Sequence, residues 1–321
     1  MNQTSKKRDI SLPAGSVITG KWHRNRYKII KSIGRGAIGT VYLCESEGKY
    51  AALKISEKGS SVTMEVNVLK TFEKVQGSRL GPSLLDVDDW VTPNGERYSF
   101  YVMEYLKGME LSTFIRKKGE EWLGILILQL LDDLEELHQA GWVFGDLKTD
   151  NLLVTHPKAR LRWIDVGGTT QMGRSIKEYT EFYDRGYWNM GSRRAEPSYD
   201  LFAVVMVMLH LYHPKQFEKG SSPKKTLMSR LTNTPQLKQY QPCLTKALTG
   251  EYTTSRQMKQ ELAAVLMQQP SNRARDGKKV NKQKPTRTSN RKQNNKRGVY
   301  LESLGIVITV LLFYLFYLVL I

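Results

Sequence analysis

Three glycines are the first residues whose types and spacing could do chemistry. Gly34, Gly36 and Gly39 form a G-x-G-x-x-G pattern, and glycine lets backbone amides approach phosphate groups with no Cβ in the way. The same pattern also suits a dinucleotide-binding turn, in which a strand leads into a helix. Here Val41 and the residues after it alternate and are β-prone. The sequence therefore predicts a glycine-rich hairpin.

A lysine and a glutamate follow that could complete a phosphate site. Lys54 ends a β-prone segment and could pair with nucleotide phosphates, and Glu65 on the next predicted helix could hold it in position. The apolar spacing after Glu65 puts its carboxylate beside a packed helical face. The alternative is a solvated lysine and a surface glutamate, because most charged residues lie at the surface.

Two acidic loops carry the most specific pattern in the chain. Asp146 is followed at +5 by Asn151, and Asp165 stands two residues before Gly167. These spacings match the D-x-x-x-x-N and D-x-G segments of the catalytic and metal-binding loops of protein kinases. With the hairpin, the lysine and the helical glutamate in the same order, the sequence resembles the Hanks-type (eukaryotic-like) bacterial serine/threonine protein kinases over most of residues 27–266.

This resemblance implies roles for the matching residues. Asp146 would orient the substrate hydroxyl or accept its proton, and Lys148 would contact the γ-phosphate of ATP. Asn151 and Asp165 would hold Mg²⁺, or Mn²⁺ in its place. Glu104 belongs to a segment that resembles the hinge between the two lobes. The residues that the resemblance assigns to ATP binding are Gly34, Gly36, Gly39, Val41, Lys54, Glu65, Glu104 and Asn151.

Several positions depart from the family pattern. Phe144 and Gly145 replace the usual His-Arg before the catalytic aspartate. In the family that arginine pairs with a phosphate on the activation loop, so its loss weakens the case for phosphate-dependent switching. Val166 replaces Phe or Leu, which apolar packing should tolerate. Glu196 lies too close to Asp200 to be assigned the role of the glutamate that ends the activation segment, so the substrate-docking region is divergent.

The activation segment carries hydroxyl groups that are candidates for autophosphorylation in trans, which would require self-association. The alternative is that each is an ordinary loop residue. Because Gly145 cannot pair with a phosphate, we expect that alanine at all four candidates leaves basal ATP hydrolysis within a few-fold. The candidates are Thr169, Thr170, Ser175 and Thr180.

The elements that must position these residues change character along the chain. The predicted strands are 27–33, 41–44, 50–54 and 98–104, and a helical pattern interrupts them around residues 62–72. The predicted helices of the second half are 122–138, 201–212 and 258–267. A small strand-rich lobe followed by a larger helical one predicts an α+β, two-lobed protein-kinase fold. The apolar run 201–211 is too short to span a bilayer and should be a core helix.

Composition and charge limit the remaining possibilities. The chain has 321 residues, 40% of them hydrophobic, which excludes wholesale disorder. Its two cysteines, Cys44 and Cys243, exclude a disulfide framework and a zinc ribbon and fit a reduced compartment. Its 49 Lys and Arg against 31 Asp and Glu give a net charge of +18, so the chain should attract polyanions.

Half of that charge lies in residues 271–302, where eleven Lys or Arg face two acids. The stretch is otherwise mainly Asn, Gln, Ser and Thr, cannot bury an apolar face, and is predicted to be a disordered linker. An electrostatic layer on anionic lipid is one interpretation; DNA binding without sequence preference is the other. The residues of the DNA hypothesis are Lys278, Lys279, Lys282, Lys284, Arg287, Arg291, Lys292, Lys296 and Arg297.

Residues 304–321 contain no charge. As a helix, eighteen residues would reach about 27 Å, close to the thickness of a bilayer core. A buried core helix is the alternative, but it would follow a polar linker with no later chain to pack it. The basic flank N-terminal to the span favours a cytoplasm-facing, tail-anchored protein of the cell membrane.

The sequence thus predicts four parts and one principal function. An N-terminal extension (1–20) precedes a kinase domain (21–269), a basic juxtamembrane linker (270–302) and a transmembrane helix (303–321). The expected activity is ATP-dependent phosphorylation of Ser or Thr in protein substrates, regulated by DNA and accompanied by autophosphorylation. The alternatives are a catalytically weak, nucleic-acid-binding membrane tether with a kinase fold, and a kinase of small molecules.

Overall fold

The computed structural model describes residues 10–36, 39–74 and 81–268. The predicted linker (270–302), the nine basic residues of the DNA hypothesis and the predicted transmembrane helix (303–321) lie outside these ranges. Within the described ranges, every helix is too short or too polar to cross a bilayer.

The N-terminal part is a six-stranded antiparallel sheet crossed by one helix. Its strand order is β1-β2-β3-β4-β6-β5. The helix α1 (Gly59–Lys74) follows β4 and buries Val62, Val66, Leu69 and Phe72, a spacing that places the four side chains on one helical face. The strands are β1 (Val17–Thr19), β2 (Arg26–Arg35), β3 (Thr40–Ser46), β4 (Lys49–Ser56), β5 (Leu84–Val91) and β6 (Arg97–Glu104).

The predicted strands and the helix of this part are confirmed, but β1 and β5 were not predicted. The acidic residues of β5 hide its strand character, yet they are buried because the loop before β2 covers them. Both carboxylate oxygens of Asp88 accept backbone N–H groups, those of Trp22 at 2.9 Å and His23 at 2.8 Å. Asp86 accepts the hydroxyl of Tyr27 at 2.5 Å. Within the predicted N-terminal extension, residues 17–19 form β1 and pair with β2, so this part of the extension belongs to the sheet.

The C-terminal part is helical around one fully buried helix. Helix α4 buries its side chains on all faces from Tyr199 to Leu209, which confirms a core helix at the apolar run. The predicted helices correspond to α3, α4 and α7, whereas α2, α5 and α6 were not predicted. The helices are α2 (Leu111–Lys118), α3 (Glu121–Gln139), α4 (Pro197–Tyr212), α5 (Pro223–Thr232), α6 (Gln241–Thr249) and α7 (Ser255–Met267).

Short strands between β6 and α4 carry the two acidic loops. Strands β9 and β10 pair as a hairpin, β7 adds to β9, and β8 pairs with β11. The catalytic-loop segment lies between β8 and β9, and Asp165 is the second residue after β10. The bounds of these strands are β7 (Gly108–Glu110), β8 (Trp142–Val143), β9 (Leu152–Thr155), β10 (Arg160–Trp163) and β11 (Thr170–Gln171).

Candidate active site

The glycine-rich segment is a hairpin, as predicted, formed by β2 and β3. The N–H of Gly36 donates to the carbonyl of Gly39 at 2.9 Å across the turn. A Cβ on Gly39 would lie 2.3 Å from the carbonyl oxygen of Ile55, so the close approach of β4 requires glycine there. Gly34 pairs with Val41 across the ladder, and no such backbone approach accounts for the glycine.

Lys54 and Glu65 meet in the structure and are both buried. The Nζ of Lys54 lies 2.8 Å from each carboxylate oxygen of Glu65 and 3.5 Å from Oδ1 of Asp165. Burial alone would lower the pKa of Lys54, but the charges of Asp165 and Glu65 outweigh it and raise that pKa above its ordinary value. The buried amine of Lys54 is therefore held as a cation near the end of β4, and its burial excludes the solvated-lysine alternative.

A buried aspartate on α4 fixes the backbone in front of Asp146. Asp200 accepts the N–H of Phe144 at 2.8 Å and that of Gly145 at 2.9 Å. His138 lies 2.9 Å from the same carboxylate. The central helix thus sets the position of the catalytic-loop segment through charge-assisted hydrogen bonds.

Three side chains converge on Asp146 and its backbone. Lys148 donates to Oδ2 of Asp146 at 2.5 Å, and the side-chain amide of Asn151 donates to the carbonyl of Asp146 at 2.9 Å. The hydroxyl of Thr180 donates to Oδ1 of Asp146 at 3.1 Å and accepts from Lys148 at 3.2 Å. These contacts hold both carboxylate oxygens of Asp146 in one orientation.

Thr180 is a site residue that the sequence named as a phosphorylation candidate and whose Thr-x-x-Tyr spacing to Tyr183 resembles the substrate-facing loop of the family. Its hydroxyl joins Asp146 to Lys148 from 34 positions along the chain. The expectation that the candidate hydroxyls can be removed with little effect therefore does not extend to Thr180. The spacing of Thr180 and Tyr183 was the available signal, and Tyr183 indeed lies 3.0 Å from the hydroxyl of Thr149 in the catalytic loop.

The side chain of Asp165 is 48% exposed, more than that of Glu65 or Asp146. Its Oδ1 accepts the N–H of Gly167 at 3.0 Å. The amide nitrogen of Asn151 donates to the carbonyl of Asp146, so the amide oxygen of Asn151 is not used in this hydrogen bond. A carboxylate and an amide oxygen are hard ligands of the kind that Mg²⁺ prefers, so the residues present fit a divalent cation.

Glu104 ends β6 at the connection between the two parts of the fold. Its carboxylate accepts from Arg162 at 3.1 Å and from the N–H of Ser83 at 3.3 Å. Arg162 also donates to the carbonyl of Gly81 at 2.7 Å. The side chain of Glu104 therefore ties the end of β6 to β10, and its assignment to ATP binding stays a prediction.

Gly145 explains why an arginine is absent before Asp146. The backbone there is left-handed, with φ at 81°, and a Cβ would lie 2.5 Å from the carbonyl oxygen of Gly168. A side chain at this position would be strained and would collide with the activation segment. The structure thus agrees with the loss of a phosphate-binding arginine at this position.

The end of the activation segment is held by its own ion pairs. Arg185 contacts the carboxylate of Glu196 and donates to the hydroxyl of Ser198 at 2.7 Å. The buried Asp184 accepts from Arg193 at 2.8 Å. Glu196, which the sequence left without a role, is therefore an anchor for this divergent segment.

This fold, a sheet-rich lobe joined to a helical lobe with acidic loops between them, is that of a protein kinase. The protein kinase domain family matches residues 27–283. The chain therefore belongs to the protein kinase family, whose members use ATP with a divalent metal ion and act on protein substrates.

Among its relatives is the serine/threonine-protein kinase YabT of Bacillus subtilis (strain 168). The two sequences are 46% identical over an alignment that covers 99% of this chain and 98% of YabT. The serine/threonine-protein kinase ppk31 of Schizosaccharomyces pombe is 32% identical over 50% of this chain and 15% of its own length. The chain is thus a Hanks-type bacterial serine/threonine protein kinase similar to YabT.

A solved structure shares the fold. The structure of vaccinia related kinase 3 superposes with a TM-score of 0.58 at 17% identity, covering 80% of this chain and 92% of that one. At this identity the likeness concerns the fold alone. It supports the two-lobed architecture of the described residues.

Proposed function

We propose that this kinase transfers the γ-phosphate of ATP to a hydroxyl group of a protein substrate, and that Asp146 accepts a hydrogen bond from this hydroxyl. The observation that supports it most is the pair of contacts from Lys148 and Thr180 to the two oxygens of Asp146. They hold the carboxylate in one orientation, so an acceptor hydroxyl can donate to it while its oxygen attacks the phosphorus. The ammonium group of Lys148 then contacts the transferred phosphoryl group and offsets its negative charge.

In this proposal, the phosphates of ATP bind between Lys54 and the glycine-rich hairpin. Lys54, held by Glu65, donates to the α- and β-phosphates, and Gly34 and Gly36 let the hairpin amides close over them. Asn151 and Asp165 supply oxygen ligands to Mg²⁺ or Mn²⁺, which neutralises phosphate charge when bound. The base and the sugar of ATP lie between the hinge, which carries Glu104, and the hairpin, which carries Val41.

Incubation with γ-labelled ATP, Mg²⁺ and a generic acceptor protein tests this function. Label on serine or threonine of the acceptor supports it. Label only on added small molecules would favour a small-molecule kinase. Nucleotide binding with no transfer to any acceptor would favour the weak-kinase tether.

The finer parts of the proposed function concern the C-terminal region. The 46% identity to YabT extends over 99% of this chain, so the similarity includes the basic linker and the apolar tail. We infer a tail-anchored protein of the cell membrane with its kinase domain in the cytoplasm. Its linker binds DNA and gathers kinase molecules, so that one copy phosphorylates another.

Gel-shift binding of residues 1–302 to duplex DNA should therefore be strong at low salt. Because each neutralised phosphate releases counterions, six or more contacts should weaken the affinity about 10³-fold between 50 and 200 mM salt. Neutralising the nine linker residues to Gln should abolish both DNA binding and its stimulation of autophosphorylation.

A matched control removes the same charge from the exposed surface of the kinase domain and should leave DNA binding intact. Equal losses in the two variants would contradict a linker site, and binding only to anionic vesicles would favour the lipid interpretation. The control residues are Arg26, Lys28, Lys31, Lys49, Lys58, Lys70, Arg116, Lys117 and Lys118.

A further inference from the structure

A buried tyrosine completes the surroundings of Glu65. The hydroxyl of Tyr101 donates to Oε2 of Glu65 at 2.6 Å, and the side chains of both residues are almost inaccessible to solvent. Tyr101 lies directly opposite Lys54 in the β4–β6 ladder. Because opposite residues of an antiparallel pair project from the same face of a sheet, Lys54 and Tyr101 both face α1.

The number of hydrogen bonds around Lys54 shows what this hydroxyl contributes. An ammonium group has three donors. In the structure, Lys54 lies within reach of both oxygens of Glu65 and of Asp165. When the ammonium group of Lys54 donates hydrogen bonds to the phosphates, it can no longer donate to both oxygens of Glu65. A buried carboxylate oxygen without a donor is costly, and Tyr101 supplies that donor.

The hydroxyl of Tyr101 can donate to Glu65 without any modification of the chain. Burial and the charge of Glu65 raise the pKa of Tyr101 well above its ordinary value, so the phenol stays protonated. At Gly145, by contrast, the left-handed backbone leaves no space for a basic side chain that could bind a phosphate. The hydrogen bonds from Lys54 and Tyr101 to Glu65 thus attach α1 to the sheet.

We propose that Tyr101 is a positioning residue for phosphate transfer. Its hydroxyl holds Glu65, and through Glu65 it keeps Lys54 aimed at the nucleotide with no phosphorylation of the activation segment. This inference rests on the proposed role of Lys54 in binding phosphates. It differs from an ordinary structural role, in which a buried tyrosine only satisfies its own hydroxyl.

Tyr101→Phe removes the hydroxyl and keeps the ring. We expect the KM for ATP to rise about ten-fold, because a hydrogen bond to a buried charged group is lost. Tyr42→Phe is the matched control. Tyr42 is equally buried in the same sheet, and it lies opposite Leu53, so its side chain projects from the face of the sheet away from Glu65. Its hydroxyl donates to the carbonyl of Ile10 at 2.9 Å. This control should lower the melting temperature and leave the KM for ATP unchanged.

A double-mutant cycle on Mg²⁺–ATP affinity tests whether Tyr101 acts through Glu65. Once Glu65→Gln is present, Tyr101→Phe should weaken the affinity by less than two-fold. Full additivity of the two changes would overturn the proposal. So would a Tyr101→Phe variant whose KM stays within two-fold of the parent while its melting temperature falls as in Tyr42→Phe.

Lys54→Met in the same assays separates the two levels of inference. A large loss of affinity and turnover in Lys54→Met, with Tyr101→Phe unchanged, defeats the role of Tyr101 alone. Unchanged nucleotide affinity and turnover in Lys54→Met would instead defeat the proposed role of Lys54.

Discussion

Asp146→Asn should lower kcat for phosphate transfer by about 10³-fold, within the range for loss of a general base. Asparagine has the size of aspartate, and its amide oxygen can still accept from Lys148 or Thr180. It cannot take a proton from the acceptor hydroxyl. Affinity for ATP should change little, because the proposed phosphate contacts come from Lys54 and the hairpin. Initial rates of label transfer and nucleotide titration by fluorescence measure the two quantities.

The loop offers a control for this substitution. Asp150 is exposed, four residues further along, and its carboxylate contacts only the hydroxyl of Thr149 among the described side chains, at 3.2 Å. Asp150→Asn should leave kcat within a few-fold. Transfer by Asp146→Asn at a rate similar to that of the control would show that another group receives the proton.

Asp165→Asn should lower kcat about 10²-fold or more and raise the Mg²⁺ concentration required for half-maximal rate. The reason is that an anionic ligand becomes neutral where phosphate charge must be offset. Rates measured over a Mg²⁺ titration, with chelation by EDTA as the zero point, report both effects. The exposed Asp132, which pairs with Lys259 on the surface, provides the matched carboxylate.

Asp132→Asn should retain the Mg²⁺ dependence of the parent protein. If Asp165→Asn shows the same Mg²⁺ dependence as Asp132→Asn, Asp165 is not a metal ligand. The substitution also removes a charge beside Lys54, whose Nζ lies 3.5 Å away. Nucleotide affinity without metal therefore needs to be measured in parallel.

The sequence predicts the parts of this fold whose signals are local. The strand ending at Lys54 and the helix carrying Glu65 have clear periodicities, and the structure brings the two residues together at 2.8 Å. The apolar run of α4 was correctly separated from a membrane span by its length alone. In contrast, β5 was missed because its buried aspartates resemble a polar loop until the covering segment is known.

Two side chains of the site could not be found in this way, because their partners are distant in sequence. Tyr101 reaches Glu65 across 36 positions, through a strand register that no local pattern encodes. Thr180 reaches Asp146 across 34 positions. An alternating strand shows which residues share a face but not which residue of a neighbouring strand stands opposite. The placement of Tyr101 therefore depends on the folded sheet, and that of Thr180 on the folded activation segment.

The close approach of Gly145 and Gly168 limits how this protein can evolve. A Cβ on Gly145 would meet the carbonyl of Gly168 at 2.5 Å, and a Cβ on Gly168 would meet the Cβ of Asp146 at 2.6 Å. An arginine at 145 therefore requires a new path for the backbone at 168 before it can be of use. The effect of a substitution at 145 therefore depends on the backbone at 168, which is epistasis between the two positions. A variant controlled by phosphorylation through an arginine at 145 requires more than one substitution.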